Sequence, residues 1–63
     1  MRRKLQMIMM AHAGLVNQSV LHILREQLGL TMPEVPVLRT LRDIALCRGY
    51  VEFADDLGSV IGE

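Results

Sequence analysis

Gly49-Tyr50-Val51-Glu52-Phe53-Ala54-Asp55-Asp56-Leu57-Gly58-Ser59-Val60-Ile61-Gly62 is the stretch on which the fold turns. Everything before it repeats at helical spacing. Here the pattern shortens. Tyr50-Val51-Glu52-Phe53 alternates as a half-buried strand does, with Val51 and Phe53 inward. Ala54-Asp55-Asp56-Leu57-Gly58 has the composition of a turn, and Ser59-Val60-Ile61-Gly62 suits a returning strand. The expectation is a small β-hairpin closing the chain.

Working back from Gly49, Val37, Leu38, Leu41, Ile44 and Ala45 form one apolar stripe, with Arg39, Thr40, Arg42 and Asp43 opposite. This third helix is expected to start at Pro33 or Glu34, with Pro36 still in its first turn, and to close at Arg48-Gly49. A second helix follows Asn17, a good N-cap, and buries Val20, Leu21, Leu24 and Leu28. Gln18, His22, Arg25 and Glu26 fall on its exposed face. Gly29 should end it in the left-handed region. The first helix covers Arg3 to Ala13, with Leu5, Ile8, Met9 and His12 on one stripe and Gly14 as its stop. Leu15-Val16 is a short apolar link. There is no internal repeat and no low-complexity run.

Length and composition narrow the function classes. The chain has 63 residues, enough for one domain spanning 1–63. A chain this short buries about 60% of its unfolded surface and is marginally stable without help. A single cysteine, Cys47, excludes an intramolecular disulfide and points to a reducing, intracellular setting. Hydrophobic residues make up 51%, which argues against disorder; aromatics are only 3%, so the core is aliphatic. The net charge is zero, yet residues 1–49 carry +4 and residues 50–63 carry −4. Such asymmetry marks surfaces that attract partners of one sign.

Met1-Arg2-Arg3-Lys4 followed by an apolar run and Ala11-His12-Ala13 imitates a secretory signal. The run is short and broken by Gln6, so the segment reads as a folded helix. The longest apolar candidate, Leu5 to Val16, is far below the roughly 20 residues of a membrane span. No membrane association is expected.

Three helices followed by a hairpin is the order of a winged helix-turn-helix, whose third helix enters the DNA major groove while the hairpin flanks it as a wing. The wording of the sequence agrees. It resembles a family of small winged-helix proteins encoded by Mu-like prophages. The likeness runs from Arg2-Arg3 through Asn17-Gln18-Ser19-Val20-Leu21, Leu28-Gly29, the Leu41…Ile44 spacing and Gly49-Tyr50-Val51-Glu52. The segment from Gly29 to Gly49 is slightly longer than the family pattern, and the chain stops at Glu63, near where the wing would continue. The resemblance implies a phage origin, a nucleic-acid-binding fold and a location in the host cytoplasm.

DNA binding of a transcriptional or architectural kind is therefore the leading expectation. Arg39 and Arg42 on the third helix would reach into the groove, with Thr40 beside them and Thr31 on phosphate. Arg2, Arg3 and Lys4 would track the backbone, and Arg25 on the second helix is a further candidate DNA contact. Against this stand an isoelectric point near 6.7 and the acids at the expected wing tip. The alternative is a protein-binding phage inhibitor of a host defence complex, resembling anti-CRISPR proteins, with Glu52, Asp55 and Asp56 facing a basic partner. On either reading a homodimer through the first helix, using Leu5, Met7 and Met10, would cover apolar surface.

No enzyme, metal or cofactor is expected. His12, His22 and Cys47 have no zinc spacing. Ser19 and His22 lie at i, i+3 without an orienting acid. The glycines at 14, 29, 49, 58 and 62 form no phosphate loop.

Overall fold

The computed structural model describes residues 1–62 and is helical throughout, with no strand among them. Four helices follow in order: α1 Arg2–His12, α2 Gln18–Leu28, α3 Val35–Cys47 and α4 Val51–Ile61. Each spans about 16–20 Å at 1.5 Å per residue. The helices form a closed ring of neighbours. α1 packs on α2 and α4, and α3 packs on the same two, most extensively on α4. The diagonal pairs, α1 with α3 and α2 with α4, are not in contact among the described residues.

The expected hairpin is therefore overturned, and with it the winged helix-turn-helix. Residues 51–61 form α4. Phe53, Ala54, Leu57 and Gly58 are buried on one face, and Val60 and Ile61 pack partly against the core. That is a helical stripe. The alternation of residues 50–53 covers too few positions to compete with it. Val51, expected inward, is 54% exposed. A lone two-stranded hairpin is marginal in water, whereas an amphipathic helix here buries Phe53 and Leu57 in the common core. Asp55 and Asp56 are on the solvent side rather than at a turn. Gly58 is buried inside the helix, leaving no side chain between α4 and what packs on it.

The other three helices agree with the sequence pattern in their faces. α1 buries Leu5, Ile8 and His12; α2 buries Val20, Leu21 and Leu24; α3 buries Leu38, Leu41 and Ala45. Val16 in the α1–α2 link completes the core, while Leu15 beside it is exposed. Leu5 is fully buried, so it belongs to the core and is withdrawn from the expected dimer face; Met7 and Met10 are exposed.

Two helix ends differ in detail. Gly29 ends α2 in the right-handed region (φ −78°, ψ −13°), with its N–H shared between the Arg25 and Glu26 carbonyls. The chain tightens through one more turn there instead of reversing. The left-handed glycines are Gly49 (φ 85°) and Gly62 (φ 91°). At Gly49 the Tyr50 N–H reaches the Ala45 carbonyl and the Gly49 N–H reaches that of Leu46, the paired bonds of a Schellman ending. This sharp stop turns the chain directly into α4. α3 begins at Val35 with Pro36 in its first turn, so Pro33 lies just ahead of the helix rather than within it.

Caps come from nearby and from afar. Asn17 Oδ1 accepts from the Ser19 N–H at 2.8 Å and from the Ser19 hydroxyl at 2.6 Å. α3 has no such side chain of its own. Buried Gln27 on α2 serves it instead, its Oε1 accepting the Glu34 N–H at 2.6 Å and its Nε2 donating to Glu34 Oε1 at 3.4 Å. The Tyr50 hydroxyl accepts the Asn17 N–H at 3.2 Å, tying the start of α4 to the α1–α2 link.

Candidate nucleic-acid interface

α1 and α2 pack with a groove of about 470 Å³ along their shared edge, lined by Arg2, Arg3, Gln6, Met9, Arg25 and Leu28. The lining follows from helix geometry. Arg2, Gln6 and Met9 repeat at i, i+4 and i+7 on α1, and Arg25 and Leu28 at i, i+3 on α2. Met9 and Leu28 are half-buried and pack against the core; the three arginines are exposed. No carboxylate lines this groove.

The arginines are held differently. Arg2 Nη2 donates to the Leu28 carbonyl at 2.7 Å. That carbonyl is at the C-terminus of α2, where a cation complements the helix dipole. Arg2 thus fastens the groove's two walls together. The Arg3 and Arg25 guanidinium groups have no protein partner among the described residues. Glu26, next along α2, is engaged by His22 at 2.8 Å. A guanidinium presents a planar fork of donors that matches phosphate oxygens.

The eight residues expected to contact DNA do not form one surface. Arg2, Arg3 and Arg25 share the α1/α2 groove. Lys4 turns to the opposite flank of α1, in a groove with Met7, Ile8, Ala11, Asp56 and Val60. Arg39, Thr40 and Arg42 are on α3, which α1 does not touch. Arg42 is half-buried and lies against Asp43 Oδ1, with Nη2 at 3.3 Å. The Thr40 hydroxyl donates to the Pro36 carbonyl at 3.1 Å, within its own helix. Thr31 is exposed on the α2–α3 link.

Glu52, Asp55 and Asp56, read as a hairpin, are on α4 and exposed. Glu52 falls in the first turn, where a negative charge suits the helix dipole. Asp56 Oδ2 lies 2.9 Å from His12 Nε2. An ionised carboxylate only accepts, so Nε2 carries the hydrogen of that bond. The buried His12 ring also meets Phe53 edge-on, with centroids 5.3 Å apart. His12 is thus a part of the α1–α4 seam.

The remaining polar residues are spread out. The Ser19 hydroxyl turns to Asn17, and Arg48 Nη1 approaches it at 3.5 Å. Cys47 is exposed. No group of three or more His, Cys, Asp or Glu side chains is arranged to hold a metal ion among the described residues. No helix there is long and apolar enough to cross a membrane.

Sequence reasoning missed Gln6 as a groove residue and missed the grouping of Arg2 and Arg3 with Arg25. The available signal was the helical register of Arg2 and Gln6 on α1. Nothing local could pair them with a residue on α2. Comparison of the chain with family models, with curated proteins and with solved structures finds no match. None of these comparisons identifies a Mu-like prophage family.

Proposed function

We propose that this protein binds the phosphate backbone of duplex DNA through the α1/α2 groove. One observation carries the reading: three arginines from two helices line a single groove that contains no carboxylate. The acids of α4, which would repel phosphate at a wing tip, do not line this groove, although α4 packs on α1. Contacts of this kind position a protein on DNA without reading bases. The reading is thus of an architectural or sequence-tolerant binder, with α1 and α2 in the role first expected of α3.

The test is fluorescence anisotropy with a labelled duplex over a range of salt. Two or three phosphate contacts predict a slope of log K against log salt of about −2 to −3, from ~0.9 per phosphate. Replacing Arg3→Ala together with Arg25→Ala should weaken binding roughly tenfold or more and flatten the slope by about 2. Both side chains are exposed, so the helical circular dichroism should persist. Unchanged affinity and slope in that variant would remove the groove from consideration.

A second reading, capture of a basic protein surface such as that of a host defence complex, is favoured by α4. It carries Glu52, Asp55 and Asp56 and no base. Glu52→Lys with Asp55→Lys leaves the His12–Asp56 pair intact and separates the two readings. DNA binding should tighten in this variant, whereas binding to a basic partner should be lost.

A further inference from the structure

We propose that the α1/α4 face is a homodimer interface, the occupant of its apolar groove being a second copy of this chain. The groove holds about 340 Å³ and runs between Lys4, Met7, Ile8 and Ala11 on α1 and Asp56 and Val60 on α4. Met7 is 63% exposed and Met10, one helical step along, is 70% exposed. The apolar band continues past the His12–Asp56 pair to Leu15 and Val51, which line an adjoining groove. Isolated exposed apolar residues are ordinary, but a contiguous band on a chain this short marks an interaction surface.

Charge identifies the occupant. The α1 side of the groove carries Lys4, and the α4 side carries Asp56, with Glu52 and Asp55 exposed on the same helix. A two-fold axis along the seam would set the α1 rim of each copy against the α4 rim of the other. Cation then meets carboxylate twice, as a self-complementary interface requires. The net charge of zero adds no long-range repulsion between copies. The protomer exposes 4074 Å², so a standard interface of about 800 Å² per partner takes roughly a fifth of it. Methionine side chains adapt readily to such a self-contact. The inference does not rest on DNA binding: the two groove linings share no residue, although Arg3 stands one and two turns before Met7 and Met10 on α1.

Sedimentation equilibrium from about 1 to 100 μM, without nucleic acid, tests it. The expected result is twice the 7.1 kDa protomer mass in this range. Met7→Asp with Met10→Asp should raise the dissociation constant roughly tenfold or more. Lys4→Glu should weaken the dimer, and adding Asp56→Lys to it should restore association by reversing the pairing. Met32→Asp changes a still more exposed methionine on the α2–α3 link and should leave the dimer unaffected. Circular dichroism of each variant separates loss of association from loss of fold. A wild-type chain that stays at 7.1 kDa overturns the proposal. So does a dimer indifferent to the Met7 and Met10 changes.

Discussion

Gln27 is the residue on which the α2–α3 junction depends. It is 5% exposed, and its amide oxygen takes up a backbone N–H at the start of α3 that has no other cap. Truncating it leaves the Glu34 N–H without its partner in a partly buried site. Gln27→Ala should therefore cost about 1–2 kcal/mol, read as a lower urea midpoint with an unchanged slope. Sequence reading assigned Gln27 no role, because its partner is seven residues away and across a loop. Asn17 was legible for the opposite reason. Its acceptor meets the N–H two residues on, a relation that needs no tertiary partner. Gly49 is similar, since the left-handed ending it adopts is a local property of the chain.

At the scale of the element, α4 shows how two local signals compete. The alternation of residues 50–53 and the turn-like Ala54-Asp55-Asp56-Leu57-Gly58 favour a hairpin on composition. The register of Phe53, Leu57 and Val60 favours a helix. Glycine in a helix interior costs about 1 kcal/mol relative to alanine, which weakens the local helical signal at Gly58. Packing against α1 and α3 outweighs it, because both neighbours offer apolar surface to the Phe53 face. Proline distinguishes the alternatives sharply. Asp55→Pro would suit the tip of a hairpin but removes an interior helical hydrogen bond in α4, at about 3 kcal/mol or more. We expect this variant to lose most of its helical circular dichroism at room temperature, and full retention would argue for a turn at that position.

At the scale of the whole molecule, stability rests on one small aliphatic core to which all four helices contribute. Leu24 is fully buried in it. Leu24→Ala should cost about 2–5 kcal/mol, comparable to everything a single core of this size supplies. Thermal melts of the variant should show a broad, early transition or none, and a melting temperature equal to wild type would contradict the core assignment. The ring of helices also sorts the charges. Arg2, Arg3 and Arg25 gather on the α1/α2 edge, while the acids of residues 50–62 lie on α4, diagonal to α2. Three of the seven basic residues thus share one edge of the domain, and Glu52, Asp55 and Asp56 lie on another helix.

The sequence by itself determined three helices, the face each buries, the Asn17 cap and the stop at Gly49. Those features follow from periodicity and backbone preferences that act within a few residues. Tertiary structure decided the rest. It made residues 51–61 a helix, because the apolar stripe of α4 is stable only against α1 and α3. It joined His12 to Asp56 across 44 residues and Arg2 to the Leu28 carbonyl across 26. It also divided the expected DNA contacts between separate surfaces. Which side chains share a groove depends on which helices are neighbours, and that order is set by the burial of all four faces together.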